Sequence, residues 1–153
     1  MTPPIWSDVS ADLEIALTEA RRAEAKATNL ASLSVEAREN AEMAIGKHLH
    51  DAYCAAETAI ERLLLTVDGD VPRGRDYHRD VLRRAARPTE GLRPPIIRHE
   101  TWALLGDLLK FRHAYRHAYG AFAWDRAEPN VALAARAIPL LVEDLTAFAK
   151  PRG

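Results

Sequence analysis

Apolar residues recur at steps of three and four along most of the chain, and no clean two-residue alternation bounded by turn residues appears. The pattern predicts helices and no strands. A first helix is expected over about 10–30, where Leu13, Ala16, Leu17 and Ala20 form a stripe and Ser7, Asp8 and Ser10 are N-cap candidates. Residues 29–34 read as a break. A long second helix over about 35–67 carries the seam Leu49, Tyr53, Ala56, Ile60, Leu63 and Val67. It stops at the turn-rich Asp68-Gly69-Asp70-Val71-Pro72-Arg73-Gly74. A third helix, about 76–86, is anchored by Val81 and Leu82. The prolines at 88, 94 and 95 make a stiff connection, because each biases its preceding residue away from helix.

A fourth helix is expected over about 98–119, with Trp102, Leu105, Leu108 and Leu109 inward and Gly120 as its terminator. A fifth covers about 128–149 through Val131, Ala134, Ile138, Leu141, Leu145 and Phe148. Pro139 interrupts its donor pattern, so a kink or two helices in line are expected there. The fold class that follows is all-α, an up-down bundle of four to five helices. Residues 1–153 form one domain, with 1–34 as N-terminal helix and connection and 35–150 as the core bundle.

Composition narrows the function. The chain has 153 residues, 48% hydrophobic and 28% charged, which suits one soluble domain with a real core. Its net charge of −1 supplies no global field for nucleic acid, so any RNA-binding surface must be local. The single cysteine, Cys54, reads as a structural thiol in a helix. No apolar run approaches the roughly 20 residues of a membrane span. The first residues lack a signal-peptide pattern, and a cytoplasmic location without membrane attachment is expected.

The chemistry concentrates in Arg112-His113-Ala114-Tyr115-Arg116-His117-Ala118-Tyr119, directly after the apolar run 102–111. Arginine holds phosphate through a planar fork of donors. Histidine gives or takes a proton near neutral pH. RNA transesterification needs a base for the 2′-OH, an acid for the 5′-oxygen and positive charge for the phosphorane. Arg112 and His117 supply that kit without a metal or other cofactor, with His113 and Arg116 as auxiliaries. His113 and His117 share a helix face, whereas Arg112 and His117 are offset by roughly 140°. Cations at a helix C-terminus also suit its dipole without any function. Metal binding by His113 and His117 is disfavoured, because Arg112 and Arg116 would repel a cation and no acidic base lies between.

Arg73, Arg75, His78 and Arg79 form either a solvated face or an RNA phosphate patch. His48 and His50 read chiefly as surface or capping groups, Tyr53 and Glu57 as an ordinary i,i+4 contact, Trp102 as core, and His99 as a local hydrogen bonder.

The segment 111–119 resembles the Arg-polar-x-x-x-His-x-Tyr signature of HEPN-fold ribonucleases, and more narrowly the HepT-like toxins of toxin–antitoxin modules. His50-Asp51-Ala52-Tyr53, Glu57, Asp68-Gly69, Tyr77-His78-Arg79 and Arg93-Pro94-Pro95 are similar to the wider pattern, in order, over roughly 46–148. The polar second position, often asparagine, is His113 here. The resemblance implies a homodimer joining two motifs in one cleft and metal-independent cleavage of RNA, such as tRNA or mRNA. It implies Arg112 and His117 as catalytic residues. It further implies an MNT-type nucleotidyltransferase antitoxin that silences the toxin by transferring AMP to Tyr119. The alternatives are a non-catalytic HEPN-like module that binds a nucleotidyltransferase or a nucleotide, and a plain helical dimerisation domain.

Overall fold

The computed structural model of the chain describes residues 3–117 and 122–150. Five long helices, α1 (Pro3–Thr28), α2 (Val35–Asp68), α3 (Tyr77–Ala86), α4 (His99–Arg116) and α6 (Pro129–Ala149), are joined by a 3₁₀ turn (Leu30–Ser32) and the one-turn α5 (Trp124–Ala127). The architecture is all-α. Among the described residues the sole β feature is an isolated bridge between Thr89 and Arg93.

α2 is the spine of the bundle, touching α1, α3, α4, α5 and α6. Its start is set by Ser34, whose side chain accepts the Ala37 N–H at 3.3 Å. Its end is set by Gly69, left-handed at φ 85°, whose N–H closes on Leu65 O at 3.1 Å. Between them Ile45, Leu49, Tyr53, Ala56, Ile60 and Leu63 are buried, so the seam expected from periodicity faces the core. Each such large apolar side chain contributes about 1.5–3 kcal/mol.

α1 begins earlier than the pattern suggested. Ser7, Asp8 and Ser10 lie inside it and are not N-caps. Its buried row is Val9, Leu13, Ala16, Ala20 and Ala23, a four-three repeat lying along α2 and α6. The small alanines let α1, α2 and α6 approach closely.

Of the two outcomes expected at Pro139, a kink or two helices in line, the second is not met in α6. It runs as one helix through Pro139 and does not split in two. The missing donor at 139 is offset by packing on both sides, with Ala137, Ile138 and Leu141 fully buried.

α4 is fixed at its start by a carboxylate from α6. Asp144, 7% exposed, accepts the Arg98 N–H at 3.0 Å and also bonds Thr101 Oγ1 and Arg98 Nε. An anion at a helix N-terminus meets unpaired amides and the positive end of the dipole. The direction of α4, and so the placement of its far end, is thereby tied to α6. α4 ends at Arg116 with His117 as its C-cap, short of the expected 119, while Tyr119 and the expected terminator Gly120 lie outside the described residues.

The connection between α3 and α4 is pinned by Arg93, which is 7% exposed. Its Nε and Nη2 grip Asp68 at 2.6 and 2.9 Å. Nη1 donates to Arg87 O at 2.9 Å and Pro94 O at 3.1 Å, and Nη2 to Arg84 O at 3.2 Å. Those five bonds use all five guanidinium donors. The pairing holds the Asp68 carboxyl below its ordinary range, through the Arg93 hydrogen bonds first. No helix of the described residues is long and apolar enough to cross a membrane.

Candidate active site

The last two turns of α4 carry three kinds of surface. Phe111 is buried and stacks on Tyr115, with centroids 5.7 Å apart and planes at 25°. Tyr115 in turn lies 5.2 Å from the His50 ring and meets Phe122 edge-on at 6.3 Å. This apolar side seats α4 against α2 at Gly46. A Cβ on Gly46 would meet Phe122 Cε2 at 2.7 Å and Tyr115 Cε2 at 3.3 Å, so the close approach requires glycine there.

Arg112 occupies the second surface. It is half-buried near Tyr53, and its Nε is enclosed with no hydrogen-bond partner among the described residues. Beneath it lies a polar cluster inside the helical seam. Tyr53 Oη donates to Glu57 Oε2 at 2.8 Å, and His78 Nδ1 approaches the two Glu57 oxygens at 2.7 and 2.9 Å. Glu57 is only 6% exposed. Burial, then the Glu57 carboxylate, pushes the Tyr53 phenol far above its ordinary pKa, with the Arg112 charge acting the other way. Next to this cluster, burial raises the Glu61 carboxyl, and Glu57 adds to that rise while the Tyr77 hydroxyl opposes it.

The third surface faces solvent. His113 and His117 are exposed with ring centroids 4.5 Å apart, as their four-residue spacing requires. His117 ends the helix, its N–H bonded to His113 O at 3.2 Å. Arg116 is exposed beside them. Arg112 and Arg116, four apart, thus occupy different environments. Arg112 is half-buried and His117, the C-cap of α4, is exposed. Tyr119 lies outside the described residues.

The other candidates separate. His78 points into the Glu57 cluster, while Arg79 pairs with Asp76 at 2.9 Å and Arg73 and Arg75 are exposed. His50 is largely buried beside Tyr115, with its Nε2 at 3.7 Å from Cys54 Sγ. His48 bonds Glu19 at 2.6 Å and ties α2 to α1. His99 opens α4 with its ring 5.0 Å from Trp102. Among the described residues no group of three or more His, Cys, Asp or Glu is placed to hold a metal.

Sequence reasoning passed over Gly46 and Phe122; it expected the Tyr53–Glu57 contact, which is present, but not that His78 joins it on Glu57. Two signals were present. Glycine in mid-helix costs about 1 kcal/mol and needs a reason. Glu57 also interrupts an otherwise apolar seam, where a buried carboxylate needs donors.

The all-α bundle and the Arg-x-x-x-x-His end of α4, beside the Tyr53–Glu57–His78 cluster, are consistent with a HEPN-like bundle. The chain belongs to the HepT-like protein family, whose model matches residues 44–151. No curated protein and no solved structure is matched.

Proposed function

We propose that this chain is an endoribonuclease toxin that cuts RNA by 2′-OH transesterification with Arg112 and His117. The observation that carries the reading is the contrast at one helix end. Arg112 is half-sunk with a donor that meets no acceptor among the described residues, while His113 and His117 stand exposed one turn apart. An enclosed, unpaired donor costs about 1–3 kcal/mol, which a purely structural helix end has no reason to carry. Membership of a HEPN-type family makes RNA the first substrate class to consider.

In this reading the 2′-OH loses its proton to an imidazole and attacks phosphorus. The P–O5′ bond breaks, and the leaving oxygen takes a proton from an imidazolium. His117 serves as base or acid, with the His113 ring alongside. The Arg112 guanidinium balances charge on the phosphorane, aided by Arg116. The products are a 2′,3′-cyclic phosphate and a 5′-OH, and the step requires no metal. A symmetric dimer would bring two such helix ends to one cleft. A nucleotidyltransferase partner silences the toxin when the Tyr119 oxygen attacks the α-phosphate of ATP and pyrophosphate leaves. The added anion then occupies the cleft and pairs with arginine, as substrate phosphate does.

The test compares wild type with His117→Ala in chelator on total RNA and tRNA, with analysis of product ends. Cyclic-phosphate ends from wild type alone support the reading. An intact, unmodified wild type that cuts nothing leaves a non-catalytic module that binds a nucleotidyltransferase or a nucleotide.

A further inference from the structure

On the far side of α3 from the Glu57 cluster lies an open groove of about 540 Å³, lined by Arg73, Arg83, Arg84 and Arg87 with Asp80 as its one carboxylate. Four arginines in one concavity are a marked local excess in a chain whose net charge is −1. Two of them are held in place: Arg84 Nη1 meets Asp70 Oδ1 at 2.7 Å, and Arg83 is bound to Asp80. Arg73 and Arg87 are exposed and form no ion pair or side-chain hydrogen bond among the described residues.

The dipole of α3 does not explain this set. Cations favour a helix C-terminus because its last carbonyls are unpaired. Here three of the last four carbonyls, those of Arg84, Ala85 and Arg87, already have donors. Ala85 O accepts Ile96 N at 2.7 Å and Ile97 N at 3.2 Å, and Arg84 O and Arg87 O accept from Arg93. Arg73, moreover, comes from the loop before the helix. The walls are preset as well, since the saturated Arg93–Asp68 pair fixes the α2 end against the 87–97 connection. The exposed Arg73 and Arg87 guanidiniums thus flank a fixed frame, with forks suited to phosphate oxygens.

We propose that this groove binds RNA backbone phosphates remote from the scissile bond, an inference that rests on the reading of the chain as an RNA-cutting enzyme. The offset of the two sites along α2 is within reach of one strand. Asp68, beside the groove, and Tyr53, beside Arg112, both lie on α2. Their separation in sequence corresponds to roughly 22 Å of helix rise. At about 3.4 Å per stacked nucleotide, six or seven nucleotides cover it. The groove then gives affinity and register without reading bases.

The test uses the full chain carrying His117→Ala, so that RNA survives, and a labelled unstructured RNA of about 20 nucleotides across about 50–200 mM salt. Arg73→Glu/Arg87→Glu is compared with an equal charge change on α1, Arg21→Glu/Lys26→Glu. The groove variant is expected to bind at least about tenfold more weakly at low salt. Its slope of log Kd against log salt should be shallower by about 1.4, for two lost phosphate contacts. The α1 variant should keep both values, and Arg73→Lys/Arg87→Lys should restore most of the slope. Equal weakening by both reversals, or an unchanged slope in the groove variant, overturns the proposal. So does a His117→Ala protein that binds no RNA. A wild type that binds RNA through the groove and leaves it uncut would keep the groove and reject the nuclease reading.

Discussion

Gly46 on α2 and Phe122, just before α5, are packed so closely that a methyl group at 46 would sit 2.7 Å from the Phe122 ring. The same methyl would reach Tyr115, two residues from His117. Gly46→Ala therefore gains about 1 kcal/mol of helix propensity and loses about 1–3 kcal/mol to overpacking. We expect a net loss of no more than about 2 kcal/mol, with the protein still folded. RNA cleavage should fall at least about tenfold, because the end of α4 is displaced relative to its support. Trimming the obstacle, as Gly46→Ala/Phe122→Leu, should recover part of the rate. Full activity in Gly46→Ala would show that this contact does not position the motif.

Glu57 accepts from both Tyr53 and His78 in a buried site. Glu57→Ala strands both donors and should cost about 2–4 kcal/mol in a urea melt. Tyr53→Phe removes one donor and leaves Glu57 its histidine, so about 1 kcal/mol is expected. Equal losses in the two variants would mean that the hydroxyl, not the carboxylate, organises the cluster.

Two carboxyls give opposite pH signatures. The Glu61 pKa is raised by burial, so the folded state holds its proton more tightly than the unfolded chain does. Its contribution is complete below the ordinary Glu value of about 4.3 and is lost as pH rises through the folded value. Glu61→Gln, which still accepts from Tyr77, should therefore be at least as stable as wild type at neutral pH. Its advantage should shrink toward pH 4. Asp68 is depressed by the Arg93 hydrogen bonds, so its contribution is complete above about 3.9 and is lost as pH falls through the folded value. Asp68→Asn should lower stability at neutral pH and flatten the acid limb. Melting curves at closely spaced pH values separate the two effects, and parallel profiles for wild type and both variants would contradict them.

Arg93 spends all five donors inside the protein. Lysine keeps the charge and cannot reproduce the fork. Arg93→Lys should cost about 3 kcal/mol, near the loss from breaking a buried pair, and should speed amide exchange in the 87–97 connection. A variant as stable as wild type would show that charge alone, not the fork, pins this segment.

Much of the bundle was legible in the chain. The seams of α2 and α6, the turn at Gly69, the α3 anchors and the His113–His117 row follow from a 3.6-residue period, which dictates facing positions locally. The resemblance on 111–119 and the positions before it reached the family that the match over 44–151 supports. Periodicity did not reveal how far α1 reaches toward the N-terminus, because Ser7, Asp8 and Ser10 carry the residue types of a helix start and stand inside the helix instead. Nor did it show that α6 continues through Pro139, where packing outweighs a lost hydrogen bond.

Neighbour relations across helices were beyond the sequence for a physical reason. A lone side chain does not encode which distant group it meets, and that is set when helices dock. Docking turns Glu57 from a polar interruption into the acceptor for Tyr53 and His78. It makes Gly46 the clearance for Phe122 and sinks Arg112 while leaving His117 exposed. It also gathers Arg73 from a loop and Arg83, Arg84 and Arg87 from the end of α3 into one groove. The sequence by itself determined the helices, their inward faces and the chemical types at the motif. The tertiary structure decided which of those groups are buried, paired or left to meet a ligand.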